Sequence, residues 1–155
     1  MTDAAARKIV FRLDGKPHGK ERPRLGKAGN VYTPTATKAY ERSIGWAARM
    51  ARPPGWDRAA VFEVSLVCFF PDNRRRDIDN VLKSVLDGMK GIAYWDDEQV
   101  YAATVRRGET DRARPRVEVV VTGLDSPAAG SRVTTKEAPP RRVSARRHGP
   151  TEEVK

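Results

Sequence analysis

RRRDIDNVLKSVLDGMKGIAYWDDEQV, residues 74–100, reads as one helix bounded by charge, then a turn, then the start of a strand. Ile78, Val81, Leu82, Val85, Leu86 and Met89 recur at three- and four-residue intervals, the spacing that lays an apolar stripe along one side of a helix. Asp77 stands just before that stripe, where an aspartate can accept from the unpaired amides of the first turn. Asp79, Lys83 and Asp87 fall at i, i+4 and i+8, so the same helix turns all three to its polar face. Gly88 and Gly91 loosen the exit, Tyr94-Trp95-Asp96-Asp97 forms a turn, and a strand resumes from Val100 to Arg106.

Upstream of this stretch, AVFEVSLVCFF (residues 60–70) is long, β-branched and aromatic and ends at Pro71, which predicts a central strand. KIVFRL (residues 8–13) alternates apolar and polar side chains and predicts a first strand closed by Asp14-Gly15. The Gly- and Pro-rich segment that follows argues against regular structure and carries Lys16, Lys20, Arg22, Arg24 and Lys27. A helix is expected from about Lys38 to Met50, capped by Thr35 or Thr37, with Tyr40, Ile44, Ala47 and Ala48 on one face and Pro53-Pro54-Gly55 at its end. Downstream, RVEVVVT (residues 116–122) predicts a strand paired with 100–106 across the charged loop GETDRAR. Together these elements predict an α+β fold, a small mixed sheet with two main helices in one domain over residues 1–124. Residues 125–155, rich in Pro, Ser, Ala and Arg, predict a disordered basic tail.

Thirty Lys and Arg against 20 Asp and Glu give the 155-residue chain a formal charge of +10. Residues 1–125 hold 23 basic and 17 acidic side chains (+6) and residues 126–155 hold 7 and 3 (+4), so the basic character is not a tail effect. Such a surplus points to a polyanionic partner, most simply nucleic acid, with a solubilising charge as the plainer alternative. Cys68, the one cysteine, lies in the apolar run VSLVCFF; a disulfide framework and a cysteine zinc site are excluded, and a core position is expected. No apolar run approaches the roughly 20 residues that span a bilayer, and the N-terminus lacks a signal-peptide core, so a soluble cytoplasmic protein is expected.

The chemistry is concentrated in the opening stretch. Asp77 and Asp79 at the start of a helix, and Asp96 and Asp97 after its end, are carboxylates from two elements that can converge on one hard cation such as Mg²⁺, which takes oxygen ligands and keeps several waters. Each has a plainer reading: capping aspartates stabilise any helix, Asp79 and Lys83 fit an i,i+4 ion pair, Asp96 and Asp97 fit a solvated turn, and Tyr94 and Trp95 fit core or turn packing. Those readings leave the triplet Arg74, Arg75 and Arg76 and the return of a second acidic pair unexplained. Other hydrolase chemistries fit less well. After Pro71-Asp72 no acidic-x-Lys tripeptide follows on a strand, only His18 and His148 are present, and no Gly-rich loop with Lys-Ser or Lys-Thr exists.

RRRDIDNVLKSVLDGM with YWDDEQV resembles the RusA-type Holliday-junction resolvases, small endonucleases frequent in phages and prophages. DGKPHGKERPR is similar to that family's Gly-x-Pro and Lys-x-Arg-Pro-Arg opening, and VYTPTATKAYERSIGWAAR to its Tyr-Thr-Pro segment and first helix, so the likeness spans about residues 8–122. The resemblance implies a homodimeric RusA-like α+β nuclease that uses Mg²⁺, with Mn²⁺ as a substitute, to place symmetric nicks in a four-way junction during recombination and repair. It implies Asp77, Asp79 and Asp97 as metal ligands and catalytic residues, with Lys83 essential beside them; Asp97 is preferred to Asp96 because it stands two before Gln99. Lys16, Lys20, Arg22, Arg24, Arg74, Arg75 and Arg76 are the expected DNA contacts. The alternatives are a non-catalytic DNA-binding accessory protein and a nuclease acting on forks or flaps.

Overall fold

The computed structural model describes residues 8–124. Residues 1–7 and the expected tail from 125 onward lie outside them. Seven-residue β1 (Lys8–Asp14) leads into the basic loop, which contains the two-residue strands β2 (Arg24–Leu25) and β3 (Val31–Tyr32). Then come α1 (Thr35–Ala51), β4 (Val61–Phe69), α2 (Ile78–Met89), a single 3₁₀ turn (Asp97–Gln99), β5 (Val100–Arg107) and β6 (Arg116–Leu124).

The main sheet has the order β1-β6-β4-β5, and only β4 and β5 run parallel, joined through α2. Rows of facing side chains cross it: Ile9 stands beside Val121 and Val121 beside Val64, while Phe11, Val119 and Leu66 form the next row. All six are buried, and they form one cluster with Ile44 and Ala48 of α1 and Val81, Val85 and Met89 of α2. The opposite face carries Lys8, Arg12, Glu63, Ser65 and Thr104 and is open to water, hence the strict alternation along β4 and β6. Among the described residues no helix is long and apolar enough to cross a membrane.

Four sequence expectations change. β5 does not pair with β6, because β4 lies between them: the helical crossover after β4 returns β5 parallel to it at the sheet edge, and β6 then fills the antiparallel slot between β4 and β1. The basic loop is not wholly irregular, since Arg24 and Leu25 pair with Tyr32 and Val31 around Gly29, whose φ is 78°. Helix α1 starts at Thr35 with Pro34 before it and no side-chain cap, and Thr37 is buried inside its first turn. Gly88, expected to loosen the helix exit, instead lets α1 and α2 touch: a Cβ there would lie 2.6 Å from the Glu41 carbonyl oxygen and 2.8 Å from Ile44 Cβ.

Candidate active site

The first turn of α2 is built as its sequence predicts. The Asp77 carboxylate accepts from the Asp79 amide at 3.0 Å and from the Asn80 side chain at 3.0 Å, supplying the missing partner of a helix N-terminus. Asp79 and Lys83 are exposed on the polar face, and neither belongs to an ion pair among the described residues. The plainer reading of this pair as a salt bridge is therefore not what the structure contains.

The segment that carries the arginine triplet is clamped from below. Arg76 forks onto Asp72 at 2.5 and 2.9 Å, which holds the Asp72 carboxyl well below the usual carboxylate range. Arg107 of β5 donates to the carbonyls of Asp72 (2.7 Å) and Arg74 (2.9 Å), and the guanidiniums of Arg76 and Arg107 both lie over the buried Phe70 ring. Arg76 is thus a structural member of the loop, its side chain only 16% exposed, whereas that of Arg74 is 83% exposed and Arg75 also faces solvent.

The basic loop lies against the same helix start. The Lys20 amide donates to the Asn80 carbonyl at 2.8 Å, and a Cβ at Gly19 would come within 3.2 Å of Asn80 Cβ. His18 meets Thr37 at 3.3 Å and Glu21 at 3.5 Å. A cleft of about 320 Å³ opens between loop and helix, with Lys16, His18, Lys20, Arg76, Asp77 and Asn80 on its walls. Within it Lys16 remains exposed, but Lys20 is paired with Asp87 and lies 3.8 Å from Glu41, so its ammonium pKa is raised, chiefly by the hydrogen bond to Asp87. Arg22 is exposed and Arg24 bonds Glu21 at 2.8 Å.

The second acidic pair is held by Gln99. Its side-chain oxygen accepts from the amides of Trp95 (2.8 Å) and Asp96 (2.9 Å), and its amide donates to the carbonyls of Arg58 (2.6 Å) and Ala60 (2.9 Å). Asp96 caps the 3₁₀ turn through the Asp97 amide at 2.7 Å, and Lys90 bonds Asp96 at 3.1 Å and approaches Asp97 at 3.9 Å. This D-x-x-Q capping box is visible in the sequence, although the grip on Arg58 and Ala60, some 40 residues away, is not. Tyr94 is core and donates to the Leu86 carbonyl at 2.7 Å, as expected, while Trp95 is exposed under Arg58, whose guanidinium carbon is 3.8 Å from the ring centroid.

Lys90, the C-cap residue of α2, lies 3.9 Å from Asp97, which puts that carboxylate by the C-terminal end of the helix. Asp79 and Asp87 are eight residues apart, about 12 Å along a helix at 1.5 Å per residue. Among the described residues no three His, Cys, Asp or Glu side chains gather to hold a metal. The chain therefore presents two separate carboxylate groups, Asp77 with Asp79 and Asp96 with Asp97. Hard oxygen donors of this kind suit Mg²⁺, which one or two carboxylates and several waters satisfy.

Comparison with known proteins adds the family. The model of the family described as "Endodeoxyribonuclease RusA" matches residues 14–122, from the end of β1 to β6, and so includes both acidic motifs and the basic loop. The "Crossover junction endodeoxyribonuclease RusA" of Shigella sonnei (strain Ss046) is 29% identical over 87 residues, which cover 54% of this chain and 62% of that relative's length. With the family match extending over most of the chain, from Asp14 to Thr122, this protein belongs to the endodeoxyribonuclease RusA family.

Proposed function

We infer that this protein is a divalent-metal-dependent endodeoxyribonuclease that resolves four-way DNA junctions by paired symmetric nicks, acting as a homodimer in the cytoplasm, with Mg²⁺ as its metal and Mn²⁺ able to substitute. One observation carries the reading: the family match includes Asp77 and Asp79 with Lys83 on the exposed polar face of α2, beside a cleft rimmed by cations. Asp77 and Asp79 would hold the metal, with Asp97 as the further carboxylate. When bound, the ion supplies charge neutralisation at the phosphate and a more acidic water. Water adds to phosphorus, the P–O3′ bond breaks, and the products are a 5′-phosphate and a 3′-hydroxyl. Lys83, one turn beyond Asp79, holds an ammonium for the charge that builds on the phosphate oxygens, or orients the water. Lys16, Arg22, Arg74 and Arg75, all exposed, take the backbone phosphates of the arms, while Lys20 and Arg76 shape the surface on which they stand.

The test is cleavage of labelled four-way junction, fork, flap, nicked and linear duplex DNA with Mg²⁺ or EDTA, alongside Asp79→Asn. Paired nicks in the junction that need Mg²⁺ and disappear in the variant are expected. The Asp79 side chain makes no hydrogen bond among the described residues, so the substitution leaves the fold and junction binding intact, at a cost below about 1 kcal/mol from the helix dipole. Tight junction binding without cleavage under any divalent metal would make the chain an accessory protein, and equal cutting of forks and flaps would remove the junction preference.

A further inference from the structure

Helices α1 and α2 touch at Gly45 and Gly88, and a groove of about 270 Å³ lies on the surface over that crossing. Its walls are Trp46, Arg42, Arg49 and Ile92. Trp46 is 61% exposed, and Met50, one turn on, is 79% exposed. Arg42 precedes the indole by one turn and Arg49 follows it by nearly one, and neither forms an ion pair among the described residues. The amphipathic pattern of α1 is satisfied by Ile44 and Ala48 in the core, so folding of this chain does not require a tryptophan between two arginines on the outer face.

We propose that this groove is a second DNA site, which stacks an unpaired nucleobase on Trp46 and takes the flanking phosphates on Arg42 and Arg49. The proposal rests on the nuclease reading for the polyanion being DNA. The chemistry selects the occupant. A two-fold contact between copies through this face would set Arg42 and Arg49 against their own equivalents, and an apolar partner would have to desolvate both guanidiniums. An unpaired nucleotide instead offers a π face to the indole and an anion on each side. Paired bases in a duplex arm are stacked on one another, so the groove distinguishes the open centre of a branched molecule from its arms. It is also linked to the acidic face: Glu41 lines the groove and lies 3.8 Å from Lys20, the partner of Asp87.

The experiment uses the full chain in EDTA, with 2-aminopurine placed at an unpaired position of a branched DNA and, separately, inside a continuous duplex. Quenching of the branch-point probe on binding is expected, lost in Trp46→Ala and largely kept in Trp46→Phe. Affinity for the branched DNA falls roughly 10-fold or more in the alanine variant, while duplex affinity stays as in the parent. Arg42→Ala with Arg49→Ala should weaken binding and flatten its salt dependence. Trp46→Ala with unchanged quenching and affinity would overturn the proposal, as would an equal loss on duplex accompanied by dissociation of a dimer in sedimentation, which would make the face a self-association surface. Cleavage of the junction by the parent protein with Mg²⁺ is scored separately. Cleavage without any Trp46 effect sinks the groove and leaves the nuclease reading standing, whereas Trp46-dependent quenching without cleavage does the reverse.

Discussion

Gln99 uses both ends of its side-chain amide to tie the acidic turn to the segment before β4. Gln99→Ala leaves two amides and two carbonyls without these partners. It should destabilise the protein by about 1–3 kcal/mol, read as a lower melting temperature, with faster amide exchange at Trp95 and Asp96. Gln99→Glu keeps the acceptor but cannot donate, so exchange there should stay slow while the contacts to Arg58 and Ala60 are lost. The Arg76–Asp72 pair gives a pH prediction. A carboxyl whose folded pKa is depressed stabilises the fold above its unfolded value and loses that contribution as pH falls through the folded one. The clamp on the arginine triplet should therefore persist through mild acid and open only in strong acid, and Arg76→Ala should return the Asp72 carboxyl resonance towards the ordinary range. At this scale the sequence was readable wherever partners are local: the Asp77 cap, and in principle the i,i+4 pairing of Asp72 with Arg76. The pairing of Lys20 with Asp87 was not readable, because that anion lies 67 residues away and is chosen by tertiary packing.

Each helix and strand of the main sheet lies close to where periodicity puts it, because a stripe every three or four residues and an alternation of two are properties of a single segment. Strand order is a different kind of information. β5 and β6 are neighbours in the chain and look like a hairpin, yet the crossover through α2 commits β5 to the parallel edge of β4 and leaves β6 for the middle of the sheet. Glycine is ambiguous for the same reason: flexibility and close approach look alike in a sequence, and only the meeting of two helices separates them. Gly88→Ala is accordingly expected to push α1 from α2 and to cost about 1–3 kcal/mol, measured by denaturant unfolding. An alanine at Gly55 (φ 74°), where nothing lies within 4 Å, would meet backbone strain alone.

For the molecule as a whole, the distance between the two carboxylate groups makes subunit mixing informative. If a dimer sets Asp97 of one copy against Asp77 and Asp79 of the other, combining inactive Asp79→Asn and Asp97→Asn chains restores one complete site in each mixed dimer. Nicking of one strand per junction is the expected result, and continued inactivity would place all three ligands within one chain. Junction affinity should also fall steeply with salt, and removing Arg74 and Arg75 should lower that slope by about two phosphate contacts. The sheet has one more consequence, which concerns how the chain is made. β1 has β6 as its partner in the sheet, pairing Lys8 with Thr122, and β6 is also what joins β1 to β4. A nascent chain on the ribosome thus carries the basic loop and both acidic motifs well before the strand that unites them exists. Closing contacts across more than a hundred residues is slow and comes last. The sheet that carries the candidate site is closed only when β6, ending at Leu124, has emerged, so a partly made chain holds its basic loop and acidic motifs on an open sheet.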